Sequence, residues 1–250
     1  MGEILSYRKF LKTYKTRGHR IRHLENYKYL FPINSNPPLA GIVGDLIGDG
    51  HLQADPKWRM DFTSKNIGEL KRFEKEISCL FGVYGKIRAC SSNKYGKTHN
   101  LAVNSAPVAR ILWLCGVPPG QKVLNPFGIP NWIKKDKSCF KRFCQRIFTC
   151  EGGLSHEKTR KMPRIRLEMW KSIHLIEDGQ KFMKDISLLM SKYFKINSTV
   201  LVQNKENLRK DGIITKPIRL SLLSDSIIKF YDKIGFEGAK QKSLKALISK

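Results

Sequence analysis

The stretch Ile42-Val-Gly-Asp-Leu-Ile-Gly-Asp-Gly50 is apolar and rich in glycine, and it ends in a carboxylate followed by glycine. Gly44 and Gly48 stand four residues apart and therefore share one face of a helix. Small residues at this spacing let a second helix backbone approach closely, so a helix interface is predicted along this face. We expect the glycine after Asp49 to end the helix in a left-handed turn, as glycine commonly does.

A second stretch, Cys144-Gln-Arg-Ile-Phe-Thr-Cys-Glu-Gly152, ends in the same way about 100 residues further along the chain. An acid at a helix C-terminus lies against the negative end of the helix dipole, which costs roughly a few tenths of a kcal/mol or more. Because the arrangement occurs twice, we predict that a cation neutralises Asp49 and Glu151. If the two helices pack side by side, both acids reach one place, where Mg²⁺ or Mn²⁺ could support phosphodiester cleavage.

The segments that follow the two acids repeat in the same order, which indicates a duplicated supersecondary unit. In the first unit the pattern predicts a strand, a helix, two strands and a helix at residues 58–64, 67–81, 85–90, 99–104 and 107–115. In the second unit, a helix at 138–150 is followed by the same elements at residues 164–169, 178–193, 199–203, 218–223 and 225–234. Only a short lysine-rich tail is expected after Phe236.

The chain resembles the LAGLIDADG homing endonucleases of the single-chain, two-motif type. Ile42–Gly50 is similar to the first motif and Cys144–Gly152 to a diverged second copy. Supporting phrases are Thr63–Asn66, Gly116–Lys122 and Ile129–Trp132. The resemblance implies an α+β fold of two pseudo-symmetric αββαββα units, with saddle-shaped antiparallel sheets, packed through the two motif helices. The expected divisions are a basic N-terminal arm at 1–36, a first unit at 37–130 and a second unit at 131–250.

The resemblance also implies roles for the residues at the ends of the motifs. The last acid of each motif, Asp49 and Glu151, would be a metal ligand and a catalytic acid. The preceding residues, Gly48 and Cys150, would offer backbone carbonyls to the metals.

Two further features of the sequence concern basic residues. The family uses basic residues in the cleavage pocket, and Lys97 and Lys216 stand at equivalent positions before paired strands; each could instead contact a phosphate or be solvated. Arg146 stands where a small residue normally allows close helix packing, so it either extends out of the interface or holds the helices apart. The predicted helix-interface residues are Gly44, Gly48, Arg146 and Cys150.

Polar side chains recur at every second position of the predicted strands and therefore share one face of each sheet. Such a face is either a solvated surface or one that hydrogen-bonds base edges in the major groove, and its arginines favour DNA. The candidate residues are Arg59, Asp61, Thr63, Arg88 and His99 in the first unit, and Arg164, Arg166, Glu168, Arg219 and Ser221 in the second.

The charge of the chain points to a polyanionic partner. Lys and Arg number 47 against 21 Asp and Glu, a formal net charge of +26, which favours nucleic acid first and an acidic membrane surface second. No apolar run approaches the ~20 residues of a membrane span, and the N-terminus lacks the apolar core of a secretory signal. We therefore expect an intracellular monomer without a membrane partner. The six cysteines form no CxxC pair, so no zinc site is predicted.

The predicted function is site-specific cleavage of double-stranded DNA at a long, partly palindromic target by metal-dependent hydrolysis. One alternative is an RNA maturase that binds intron RNA, which the basic residues 1–30 would suit. Another is a DNA-binding regulator on the same scaffold. The chain starts at Met1 and ends at Ser249-Lys250, without the terminal residues that intein splicing needs, so a free-standing or intron-encoded protein is expected.

Overall fold

In the computed structural model, the described residues are 2–14, 24–90, 98–157, 159 and 161–249. The chain divides into two compact units, residues 1–120 and 121–250. The first unit includes the basic N-terminal segment, in which strand β1 (Glu3–Leu5) pairs with β2 (Ile33–Asn34). Helix α1 (Tyr7–Leu11) follows β1 along the chain and buries Phe10, and a 3₁₀ helix occupies Lys28–Leu30.

The first unit then alternates helices with the strands of one antiparallel sheet. Its elements are α2 (Pro37–Ile47), β3 (Gly50–Gln53), β4 (Arg59–Ser64), α3 (Ile67–Phe81), β5 (Lys86–Ala89), β6 (His99–Val103) and α4 (Ala106–Leu114). The strand order in the sheet is β3-β4-β6-β5.

The second unit repeats this order with longer strands and additional elements. It contains α5 (Asn131–Lys135), α6 (Lys137–Glu151), β7 (Gly152–Ser155), β8 (Arg164–Ser172), α7 (Ile176–Phe194), β9 (Ser198–Val202), β10 (Asn207–Leu208), β11 (Ile214–Leu222), α8 (Ile227–Lys233) and α9 (Gly238–Ile248). Two 3₁₀ helices lie at Ile173–Leu175 and Ser224–Ser226. Strand β8 lies between β7 and β11, and β9 and β10 both pair with β11.

The strand connectivity of the two units is the same, because β3, β4, β5 and β6 correspond in order and pairing to β7, β8, β9 and β11. The predicted α+β fold with antiparallel sheets is confirmed. The strand-by-strand prediction missed the short strands β1, β2 and β10, and it also missed β3 and β7. Strands β3 and β7 each start immediately after the motif acid, within a glycine-containing segment (GHLQ or GGLS) that lacks a clear alternation of apolar residues.

The C-terminal segment was predicted wrongly. It forms helix α9 rather than only a short lysine-rich tail, and Leu244 on this helix is fully buried. Its first six residues, GAKQKS, contain no large apolar side chain, so the apolar stripe that identifies a helix is short.

The long helices α3 and α7 cover the apolar sides of their sheets. Asn66 caps the start of helix α3, its side chain accepting a hydrogen bond from the Gly68 amide at 2.8 Å, and Gly82, with a φ of 66°, caps its end. Phe73 is buried and stacks on Phe62 of β4 with ring centroids 4.7 Å apart. Among the described residues, no helix combines the length and apolar character needed to cross a membrane.

Candidate active site and nucleic-acid face

The acid of the first unit lies in the turn after its helix. Asn36 caps the start of helix α2, its Oδ1 accepting a hydrogen bond from the Leu39 amide at 2.8 Å, and the last helical residue is Ile47. Gly48 and Asp49 form the turn to β3, and Asp49 is exposed. The carbonyl of Asp49 accepts a hydrogen bond from the amide of Thr63 on β4 at 3.3 Å, so the backbone of the acid is tied to the sheet.

The acid of the second unit is the last residue of its helix. Helix α6 runs through Glu151, and β7 starts at the next residue. Lys240 of α9 donates from Nζ to the carbonyl oxygens of Thr149 at 2.5 Å, Gly152 at 2.8 Å and Cys150 at 3.3 Å. A lysine ammonium thus lies against the negative end of the α6 dipole, where it is stabilising. No pattern in the sequence indicates that a lysine so far along the chain from Glu151 occupies this place.

The glycines after the two acids are needed for a different reason than the one expected. Neither adopts a left-handed conformation; Gly152 has φ −76° and ψ 130° and starts a strand. A Cβ at Gly50 would lie 2.6 Å from the Cα of Leu46, and a Cβ at Gly152 would lie 2.2 Å from the carbonyl oxygen of Phe148. A side chain is excluded because each strand passes directly against the last turn of the helix before it.

Each motif helix also carries one buried charge with a partner in its own unit. Asp45 is fully buried on α2 and accepts two hydrogen bonds from Arg72 of α3, at 2.8 and 2.9 Å. This bidentate geometry is the strong form of a carboxylate–guanidinium pair.

Arg146 of α6 is fully buried rather than extended into solvent. The carboxylate of Glu237, just before α9, pairs with both Arg146 and Arg142. The Glu237 amide also donates to Thr149 Oγ1 at 3.0 Å. The segment that starts α9 is therefore fastened to the last turns of α6 by charge pairs and by backbone hydrogen bonds.

The donor chemistry at the two acids suits a hard cation only in part. Within the described residues, no group of three or more His, Cys, Asp or Glu side chains could hold a metal ion. Mg²⁺ often binds one or two carboxylates and takes its remaining ligands from water and substrate phosphates. One acid in each unit therefore fits such an ion when a nucleic-acid phosphate supplies further oxygens.

The open face of the first sheet carries three of the predicted residues on β4. Arg59, Asp61 and Thr63 alternate with buried Met60 and Phe62. They therefore point away from the helices that cover the other face.

His99 does not extend this open face, contrary to the prediction. It lies opposite Ser64 in the register, on the same side of β6 as the buried Leu101. Asn100 takes its place, opposite Thr63 and donating to Thr63 Oγ1 at 3.2 Å. The alternation of β6 is shifted by one residue from the predicted one, and a one-residue shift moves every side chain of a strand to the opposite face of the sheet.

The remaining neighbours on the open face of the first sheet follow from the strand register. Arg88 lies opposite Asn100 and is exposed. His51 of the unpredicted strand β3 lies opposite Asp61 on this face and is exposed as well.

The open face of the second sheet contains the predicted residues in the predicted phase. Arg164, Arg166 and Glu168 alternate with buried residues of β8. Arg219 of β11 lies opposite Glu168, with Nη2 and Oε2 2.7 Å apart, and Ser221 lies opposite Arg166. Part of the arginine charge is therefore balanced within the face, which leaves a mixed surface of donors and acceptors.

The two predicted pocket lysines have different outcomes. Lys97 lies outside the described residues. Lys216 lies within β11 rather than before a strand, and its ammonium pairs with Glu206 at 2.9 Å. Its neighbour across the register, Lys171, is buried and donates to the carbonyls of Lys122 at 2.9 Å and Asn125 at 2.7 Å. Burial lowers the pKa of Lys171, and Asp178 opposes this shift.

Comparison with solved structures identifies the fold. The homing endonuclease I-WcaI bound to its DNA recognition sequence superimposes with a TM-score of 0.53 and 12% identity, over 92% of this chain and 95% of that one. I-DmoI in complex with DNA and Ca gives a TM-score of 0.52 and 15% identity, over 84% and 97%. Full-length DUF199/WhiA from Thermatoga maritima gives 0.51 and 13%, over 90% and 65%. The chain has the fold of the LAGLIDADG homing endonucleases.

Comparison with curated sequences gives relatives with unrelated names. The chain is 27% identical over 245 residues to the tRNA-splicing ligase RtcB of Methanopyrus kandleri, covering 91% of this chain and 24% of that protein. It is 31% identical over 251 residues to the DNA-directed RNA polymerase subunit Rpo1N of Methanocaldococcus jannaschii, covering 92% and 18%. The chain thus spans at most about a quarter of the length of these relatives. No protein-family model matches it.

Proposed function

We propose that this protein is a divalent-metal-dependent endonuclease that cuts double-stranded DNA at a long, partly palindromic site. The observation that carries the proposal is the repeated arrangement of a helix, an acid, a glycine and the first strand of a basic sheet. It occurs at Asp49 in the first unit and at Glu151 in the second. A protein that only binds DNA gains nothing from a repeated acid near phosphates, because the charges repel.

The curated relatives support the proposal by exclusion. One is named for RNA ligation and another for RNA synthesis, yet the same stretch of about 250 residues matches both. The matching segment makes up a quarter or less of each of these proteins. We therefore assign neither activity to this chain. The solved homing endonucleases share its fold over most of both chains.

Within the proposed reaction, the residues of the chain have separate tasks. Asp49 and Glu151 would hold Mg²⁺ or Mn²⁺, with the Gly48 and Cys150 carbonyls as further oxygens; when bound, the metal supplies Lewis-acid charge stabilisation and activation of water. Lys240 shares the Cys150 carbonyl and holds the end of α6 in place. The open sheet faces bind DNA, with the arginines donating to guanine edges and phosphates. Lys97 and Lys216 are proposed to contact the cleaved phosphates.

The proposal is tested by incubating the protein with a plasmid library and Mg²⁺, with EDTA as the metal-free control. Wild type is expected to linearise plasmids that carry one long site. Asp49→Asn and Glu151→Gln should each lower the rate at least ~100-fold, because a metal contributes several kcal/mol to the transition state. Asp211→Asn, a matched change at an exposed loop acid, should cut like wild type. Absence of cutting by wild type, with DNA binding intact, would contradict the proposal.

A second candidate function is DNA binding without cleavage. The open sheet faces favour it, because their arginines could bind DNA without either acid taking part. The library experiment separates the two candidates. A DNA-binding regulator would retard one sequence in a gel shift with Asp49→Asn and Glu151→Gln unchanged, and it would leave every plasmid intact.

A further inference from the structure

Rows of residues cross the two sheets, and the strand register defines which residues of the two sheets are equivalent. The glycine after each motif acid lies opposite Phe62 in the first sheet and opposite Leu167 in the second. Phe62 in turn lies opposite Leu101, and Leu167 lies opposite Leu220. The two sheets therefore have the same register, and each residue of one sheet has a defined counterpart in the other.

The next row lies on the open face of each sheet. In the first unit it is level with the motif acid, because the amide of Thr63 donates to the carbonyl of Asp49 at 3.3 Å. Across the first sheet this row consists of Thr63, Asn100 and Arg88. The equivalent row of the second sheet consists of Glu168, Arg219 and Leu201. Leu201 of β9 is thus the counterpart of the exposed Arg88 of β5.

The side chain of Leu201 is accessible on the open face. The residues on both sides of it, Val200 and Val202, each lie opposite a buried residue of β11. Leu201 therefore points to the opposite face of the sheet, where it is 61% exposed. A single exposed leucine is ordinary on a protein surface. This one, however, lies beside charged side chains, at the position where the other sheet has an arginine.

The two neighbours of Leu201 in its row form an ion pair. The Oε2 atom of Glu168 lies 2.8 Å from Nε and 2.7 Å from Nη2 of Arg219. Both side chains remain accessible, at 32% and 30% exposure. The pair offers a donor and an acceptor side by side, which suits a G·C base pair, because Arg donates to guanine and Glu accepts from N4 of cytosine.

Leucine and arginine favour different bases. An aliphatic side chain makes no hydrogen bond to a base edge, and the apolar group that distinguishes a base in the major groove is the C5 methyl of thymine. Arginine instead donates to O6 and N7 of guanine. The exchange between Leu201 and Arg88 therefore predicts different bases at equivalent positions in the two halves of a target.

We propose that Leu201 is a specificity-determining residue, which contacts the C5 methyl of a thymine in one half of the target, where Arg88 binds guanine in the other half. This assignment rests on the proposed binding of DNA by the open sheet faces. It does not require that the protein cut DNA.

The test measures binding without cutting. Duplexes are selected from a randomised DNA library by gel shift with the full-length protein, in EDTA and without Mg²⁺. Each thymine of the selected sequence is then replaced singly by deoxyuridine, which removes only the C5 methyl. Wild type is compared with Leu201→Ala, Leu201→Arg and the control Leu188→Ala. Leu188 is a matched control because it is 67% exposed on α7, the helix that covers the other side of the sheet.

At one thymine, deoxyuridine should weaken binding by wild type roughly 3- to 5-fold, because one methyl contact with Leu201 is lost. Leu201→Ala should bind both forms of that site with nearly equal affinity, since the shorter side chain does not reach the methyl. Leu188→Ala should discriminate as wild type does. In a new selection, Leu201→Arg should exchange this thymine for guanine.

Two results would overturn the proposal. One is the same discrimination between thymine and deoxyuridine at every position by wild type and Leu201→Ala, and the other is retention of the thymine by Leu201→Arg. If wild type selects no sequence, the assignment fails together with the proposed site-specific DNA binding. If plasmids stay uncut while a thymine preference depends on Leu201, only the nuclease proposal is contradicted and this assignment is supported.

Discussion

Helix α2 ends two residues before its acid, whereas helix α6 ends on it, and the two ends are held by different means. In the first unit, the charge buried in the helix is Asp45, and its partner Arg72 comes from the following helix. In the second unit, the buried charge is Arg146, and its partner Glu237 comes from the C-terminal segment, close to Lys240. The buried charge is therefore negative in the first unit and positive in the second, and its partner comes from a different part of each unit.

This difference shows which parts of a repeated unit are constrained. The order of helix, acid, glycine and strand is the same in both halves, and the excluded Cβ at Gly50 and Gly152 has the same geometric origin. The surrounding charges diverged, since any partner that neutralises the buried group is sufficient. Each contrast between the two ends can be tested by a substitution, taken below from the largest expected effect to the smallest.

The largest effect on stability is expected from Glu237→Gln. This change removes the carboxylate that balances the fully buried Arg146, and breaking a buried charge pair typically costs ~3–5 kcal/mol. Urea unfolding would measure the loss. Asp232→Asn, an exposed acid in the preceding helix, should change the free energy of unfolding by less than about 0.5 kcal/mol. A Glu237→Gln variant as stable as the control would show that α9 does not support α6.

Gly152→Ala tests the shared geometry of the two helix ends. The new Cβ would meet the backbone of Phe148, which cannot move as a flexible side chain can, so we expect a loss of ~1–3 kcal/mol or more. The neighbouring Gly153→Ala is the control, because its nearest atom would be 4.0 Å away. Thermal unfolding of both variants measures the difference. Equal melting temperatures would mean that the strand does not pass against the helix as described.

Lys240→Met tests the cation at the end of α6. The substitution keeps an unbranched side chain of nearly the same length but removes three hydrogen bonds to carbonyl oxygens and the favourable interaction with the dipole. A loss of ~1–2 kcal/mol in the free energy of unfolding is expected. Lys242→Met changes an exposed lysine of the same helix and should have little effect. The contrast would disappear if Lys240 were merely a solvated charge.

The smallest effect concerns Lys171 and depends on pH. Because burial lowers its pKa in the folded state, the unfolded chain binds more protons between this lowered value and the ordinary value near 10.5. Stability should therefore rise with pH across that interval in wild type relative to Lys171→Met. Denaturant unfolding of both proteins at several alkaline pH values measures the difference. A difference that falls with increasing pH would contradict the assigned direction.

Much of the fold could be predicted because periodicity is a local property. The helix at residues 67–81 matches α3 residue for residue, and strands β4 and β8 have their polar residues on the predicted face. Phase errors arose where the alternation is short, as at His99, because one residue of shift reverses the face.

The supports of the candidate site could not be predicted, because their partners are distant in sequence. Glu237 stands 91 residues from Arg146, and Lys240 stands 90 from Cys150. No spacing rule connects such residues. The left-handed turns expected at the two glycines are absent, since a close approach between strand and helix cannot be distinguished from such a turn by sequence alone.

The most direct test of the central claim is strand-resolved cleavage of a selected target with both strands labelled. Wild type, Asp49→Asn, Glu151→Gln and the Asp211→Asn control would be compared at equal occupancy, established by gel shift. We expect both acid variants to bind the target as wild type does but to form no double-strand break, whereas the control cuts both strands. Cleavage of both strands at the wild-type rate by either acid variant would contradict the claim that Asp49 and Glu151 carry the reaction.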